Sequence, residues 1–168
     1  MEYRIEYSVR RTISLCIKDE GLVIKAPYGT PKSRIEEIVI KHKSWIEKHW
    51  MRHEEKKAKY DGLTDAQIRE LKKAAKKILT AKTDYYAQIM NLKYGRITIT
   101  SAKTRFGSCS SKGNIAFSYR LMLYPEAAID YVVVHELAHL REMNHSPAFY
   151  RVIASVLPDY KERKKLLK

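Results

Sequence analysis

Apolar and polar positions change period several times along the chain. Residues 3–9, Tyr-Arg-Ile-Glu-Tyr-Ser-Val, alternate with period two, as do residues 12–17 and 22–26. Alternate side chains share one face of a strand, so these stretches predict three strands, with Asp19-Glu20-Gly21 as the turn between the last two. Pro27, Gly29 and Pro31 end the alternation. Ile35, Ile38, Val39, His42, Trp45 and Ile46 then recur at helical spacing, which predicts a helix from about 33 to 56 with Ser33 as N-cap and Glu36 as its capping-box partner. The N-terminal third therefore reads as a small antiparallel sheet followed by a helix. Asp61-Gly62 punctuates a charge-rich stretch, and the boundary between two regions, 1–62 and 63–168, is expected there.

Beyond that point Thr64 is the expected N-cap of a second helix over about 65–91. Ile68, Leu71, Ala75, Ile78, Leu79, Tyr85, Tyr86 and Ile89 form its apolar stripe, and Lys72-Lys73 and Lys76-Lys77 its solvated face. The period returns to two at residues 96–100, at a short stretch 105–109, and at residues 114–119 after the turn Lys112-Gly113-Asn114. Pro125 opens a helix whose residues Ala128, Ile129, Val132, Val133, Leu137 and Leu140 predict burial. Ser146-Pro147 opens another, Pro158 interrupts it, and residues 161–168 form a basic tail. The pattern reads as an α+β fold without internal repeats.

Charge changes the picture only in part. Thirty-three Lys and Arg stand against 19 Asp and Glu, a formal net charge of +14 over 168 residues. The excess is spread: +4 in residues 1–62, +4 in 63–94 and +6 in 95–168. No DNA-reading motif accompanies it, so nucleic acid is a possible but not a required partner. Residues 85–125 hold no Asp or Glu, against Lys93, Arg96, Lys103, Arg105, Lys112 and Arg120. No run of 18 apolar residues exists, no apolar segment follows Met1-Glu2-Tyr3-Arg4, and only Cys16 and Cys109 occur. No membrane span, secretory signal or disulfide framework is expected, and a reducing cytoplasm fits.

The chemistry concentrates in residues 134–145. His135-Glu136-Leu137-Ala138-His139 is H-E-x-x-H on a predicted helix. Residues four apart share a helix face, so both imidazoles can meet one metal ion. Glu136 points about 100° away and can take a proton from a water at that metal. A catalytic Zn2+ site needs a third ligand and one open position. His145 is the favoured third ligand if the helix ends near Met143 and Asn144 turns the chain with left-handed backbone angles. Asp159 and Glu162 are the rivals. His49 and His53, also four apart, lack an apolar setting and read as surface residues. Cys109, without a His partner in sequence, reads as a packed thiol.

The spacing of the three histidines equals that of the metzincin pattern. However, Glu142 stands where metzincins have Gly, and no Met follows Met143 to form a Met-turn. Residues 132–140, Asn144-His145-Ser146-Pro147, Phe149-Tyr150 and the stretch 105–115 more closely resemble the YgjP-like metal-dependent hydrolases, related to the SprT and WLM metallopeptidases. Arg10-Arg11-Thr12-Ile13 and Trp45-Ile46 extend the resemblance, with Phe106 where the family usually has Trp and a further aromatic departure at Tyr119. The resemblance implies a zincin-like core, a small antiparallel sheet plus the H-E-x-x-H helix, with His135, His139 and His145 as ligands of one catalytic Zn2+ and Glu136 as base. Three functions compete, the metallopeptidase being the leading reading and the other two its alternatives. The first is a metallopeptidase whose strands between 96 and 119 offer an edge to an extended peptide. The second is a nucleoside triphosphate pyrophosphatase or phosphohydrolase, with Arg105, Lys112 or Arg120 meeting phosphate oxygens. The third is a nucleic-acid-associated protein with SprT-like protease activity.

Overall fold

The computed structural model describes residues 2–167, with the side chains of residues 56 and 59 left aside. The chain divides into two compact units, Met1–Leu63 and Thr64–Lys168.

The first unit contains β1 (Tyr3–Ser8), β2 (Ser14–Lys18) and β3 (Gly21–Pro27), in the spatial order β1-β3-β2. β2 pairs antiparallel with β3 through the tight turn at Gly21, whose φ of 126° suits glycine. β1 pairs parallel with β3. The sheet is therefore mixed, which corrects the antiparallel expectation. The cause lies in composition. Leu22, Val23, Ile24 and Ala26 are buried, so β3 needs cover on both faces and takes the centre, while the half-buried β1 and β2 flank it. The expected single helix is two, α1 (Lys32–Lys41) and α2 (Lys43–Asp61), broken at His42. A straight helix would separate Ile35 and Ile46 by about 16 Å. The break lets both join one core cluster with Leu22, Ile24 and Ala26. Pro31, with φ −61° and ψ 144°, occupies the N-cap of α1 and no side chain caps it, so Ser33 lies inside the first turn and does not cap.

The second unit opens with α3 (Asp65–Ile89). Thr64 accepts from the Gln67 N–H and Gln67 returns the bond, a complete capping box. Asn91 ends the helix with a φ of 49°, and the Leu92 N–H bonds the Ala87 carbonyl at 2.9 Å. The buried stripe of α3 is Ala75, Leu79, Thr83, Tyr86 and Ala87, whereas Ile78, Tyr85 and Ile89 are exposed. Thr83 enters the stripe because its hydroxyl donates to the Leu79 carbonyl at 2.6 Å. The lysine pairs are also not uniformly solvated. Lys76 donates to the Ile97 carbonyl at 3.0 Å, and Lys72 lies over the Tyr119 ring.

β4 (Ile97–Thr100), β5 (Gly107–Cys109) and β6 (Ile115–Ser118) form a second mixed sheet, order β4-β6-β5, with the buried strand again central. Here too the parallel pair β4–β6 corrects the expected antiparallel sheet. A 3-10 turn over Tyr119–Leu123 replaces the expected end of the last strand and leads to α4 (Glu126–Ala138). α4 is buried nearly all round, as its apolar composition requires. It packs against α3, β5, α5 (Pro147–Val156) and α6 (Tyr160–Lys165). Of its two buried carboxylates, Asp130 is met by Lys82 of α3 at 2.7 Å and Arg163 of α6 at 3.4 Å, so one carboxylate ties three helices together. None of the helices among the described residues is long and apolar enough to cross a membrane.

Candidate metal centre

His135 lies in the last turn of α4, and His139 follows at its cap. The helix ends earlier than expected. The Leu140 N–H bonds the Leu137 carbonyl and the Arg141 N–H the Ala138 carbonyl, both at 3.0 Å. Asn144 does not take left-handed angles, because these tightened bonds already turn the chain. Ser146, the N-cap of α5, accepts from the Phe149 N–H and fixes the segment that carries His145.

The result is a group of three histidines whose ligand atoms lie within 4.8 Å of one another. His135 Nε2 and His145 Nε2 are 3.1 Å apart. Tetrahedral ligands at 2.0–2.1 Å from a zinc ion lie about 3.3 Å apart, so the donor set fits. The far nitrogens are also engaged. His139 Nδ1 donates to the Glu142 carbonyl at 3.2 Å, and the Tyr131 hydroxyl lies 3.4 Å from His135 Nδ1. These contacts leave Nε2 of both rings for a metal. Beneath them lies Phe149, fully buried, with its ring centroid 4.9, 4.6 and 4.8 Å from those of His135, His139 and His145. Burial, then the neighbouring imidazoles and Lys164, pushes His135 down to about 3; burial lowers His139 as well. Neutral imidazole is the form that ligates. Burial pushes the Tyr131 phenol up to about 12.

Glu136 is 5% exposed and faces a cleft of about 210 Å³ lined also by Phe106, Gly107, Tyr131, Val132, His135 and Leu167. Its Oε2 is buried without a hydrogen-bond partner among the described residues. Burial pushes its carboxyl up to about 7, with Arg105 opposing. Gly107 of β5 makes room for it: a Cβ there would lie 2.5 Å from Oε1. A partnerless carboxyl that titrates near neutrality is suited to taking and returning a proton.

The structure brings Arg105 toward Glu136 but places Lys112 in the exposed β5–β6 turn and Arg120 beside the Tyr119 ring, and neither lines the cleft. Asp159 pairs with Arg163 and Glu162 with Lys165, each at 2.8 Å, so neither rival carboxylate joins the histidines. His49 stacks on Trp45 and His53 pairs with Asp19. Cys109 is half-buried, its thiol raised by burial and by Glu136, as befits a packed rather than a nucleophilic sulfur. The reading of the sequence missed Gly107, Tyr131 and Lys164. Tyr131 was within reach, since it stands four residues before His135 on the same helix face.

The model of the family described as YgjP-like, metallopeptidase domain, matches residues 11–69 and 59–168. The chain belongs to this family. YgjP-like membership and the histidine group together make it a metal-dependent hydrolase. It is 34% identical over 59 residues to the UTP pyrophosphatase of Escherichia coli (strain K12), a match that spans 35% of this chain and 35% of that protein. Among solved structures it is similar to the metallopeptidase zymogen of Pyrococcus abyssi abylysin, with 23% identity and a TM-score of 0.49 over 53% of this chain and 90% of that one. It is also similar to the zymogen of Methanocaldococcus jannaschii jannalysin, with 18% identity and a TM-score of 0.47 over 53% and 92%.

Proposed function

We propose that this YgjP-like chain hydrolyses the phosphoric anhydride of nucleoside triphosphates, with His135, His139 and His145 holding one Zn2+ and Glu136 as general base. The observation that carries the reading is the charge around the partnerless carboxyl. The Arg105 guanidinium opposes the burial that raises Glu136, Lys164 helps to lower His135, and among the described residues Glu136 is the sole acidic side chain lining the cleft. Such a setting favours an anionic substrate. The match to a UTP pyrophosphatase over part of the chain supports the same substrate class.

Zn2+ in this site would supply a polarised water and an electrophilic contact for a substrate oxygen. With the metal bound, Glu136 would take a proton from the attacking water as its oxygen bonds to phosphorus. The bridging P–O bond breaks, and its electron pair leaves with the departing phosphate. Tyr131 and the Glu142 carbonyl hold two imidazoles in orientation, and Phe149 supports all three rings from below. A second reading, peptide hydrolysis, is favoured by β5. It is an edge strand beside Glu136, where an extended peptide can add.

Glu136→Gln is expected to keep the metal, measured by elemental analysis, and to lower UTP hydrolysis about a hundredfold to ten-thousandfold. Cleavage of a peptide library but not of UTP by the zinc-loaded wild type would transfer the site to the second reading. Hydrolysis of neither would overturn both.

A further inference from the structure

Next to Tyr150, whose ring centroid lies 6.4 Å from that of His145, is a cleft of about 350 Å³ lined by Tyr150, Tyr160, Lys161, Lys164 and Lys165. Resting on the nucleotide reading above, we infer that this cleft holds the phosphate chain of the substrate, with Lys161 and Lys164 as its contacts. The basic C-terminal segment looks in sequence like a solvated tail. In the fold its charges sort by face. Arg163 points toward α4, where Asp130 holds it at 3.4 Å, and Asp159 at the start of α6 holds it at 2.8 Å. Lys161, Lys164 and Lys165, spaced i, i+3 and i+4, share the other face. The buried Asp130 thus fixes α6 so that its remaining cations line one cleft.

Lys165 is held by Glu162 at 2.8 Å. Among the described residues, no carboxylate lies within ion-pair distance of Lys161 or Lys164, although each is a natural phosphate contact. Lys164 rests 5.8 Å above the Tyr150 ring, and Tyr150 stacks on Tyr160 at 5.9 Å and on His145 at 6.4 Å. This column of rings leads from the lysines to a proposed metal ligand. The cleft falls within the roughly 300–1,000 Å³ usual for small-molecule sites. A chain of two or three phosphates bound there would present its reacting phosphorus to the side where the histidines and Glu136 stand.

The test uses the full zinc-loaded chain. Lys161→Gln combined with Lys164→Gln is expected to raise the KM for UTP and to weaken binding of inorganic pyrophosphate by calorimetry, each about tenfold or more. Zinc content and Tm should stay unchanged. Lys73→Gln, on the exposed face of α3 where Glu70 pairs with it at 2.8 Å, lies outside the cleft and should change either reading less than about threefold. Wild-type affinity for pyrophosphate in the double variant would overturn the site, as would absence of pyrophosphate binding to the unaltered chain. If the wild type binds pyrophosphate through these lysines but does not hydrolyse UTP, the proposed function fails and the site stands. If the double variant hydrolyses UTP with an unchanged KM, the site fails and the function stands. Tripolyphosphate supplies the last comparison. UTP bound more tightly supports a nucleotide's chain at this site, and equal affinity supports the site as one for free polyphosphate.

Discussion

Gly107 and Glu136 are 29 positions apart and nearly touch. A methyl group at position 107 would meet Oε1 at 2.5 Å and Cδ at 2.7 Å, so Gly107→Ala must push the carboxylate aside. A shift of about 1 Å in a catalytic group costs on the order of a hundredfold in rate. Gly107→Ala is therefore expected to lower kcat by about that factor while zinc content holds, and an unchanged kcat would remove Gly107 from the site. The pair also marks what the sequence could disclose. His135, His139 and His145 were readable because helix periodicity and a short turn, both local, bring them together. Gly107 was not, since its role depends on a contact between β5 and α4 that no local pattern encodes. Asn144 failed differently: the helix ended at Ala138, and the amides of Leu140 and Arg141 just beyond it made the turn without left-handed backbone.

At the scale of elements, periodicity located the strands and most helices, and cap chemistry located the starts of α3 and α5. Strand order was not legible. Both sheets place their third strand in the middle with a parallel neighbour, because the most buried strand claims the centre. Pairing of that kind is decided by burial across the sheet rather than along the chain. The ion pairs that fix α6 were equally hidden, for Lys82, Asp130 and Arg163 come from three helices. Asp130→Ala would leave two cations without their shared carboxylate in a partly buried setting. A loss of about 2 kcal/mol is expected, less than for a fully buried pair because both cations reach solvent. Denaturant unfolding checks this, and an unchanged midpoint would show that α6 is held by other means.

For the whole molecule, the net charge of +14 suggested nucleic acid at first sight, yet the informative cations are few and local: Arg105 near Glu136, Lys164 near His135, and Lys161 in the cleft that Tyr150 lines. The division into two units sharpens the consequence of metal binding. All three histidines and Glu136 lie within Thr64–Lys168. A ligand that binds only the folded state stabilises it by about 4 kcal/mol at a thousand times its Kd. Zinc should therefore protect one unit selectively. Phe149 and its buried neighbours supply a core beneath the site without the ion, so chelation is expected to loosen rather than unfold this unit. Hydrogen exchange after zinc removal should accelerate in α4, in the turn carrying His145 and in α5, while β1, β2 and β3 keep their rates. His145→Ala should reproduce that pattern in zinc-saturated buffer, since two imidazoles hold the ion far less well than three. Equal acceleration in both units, or none around α4, would mean that the ion is held somewhere other than these three histidines.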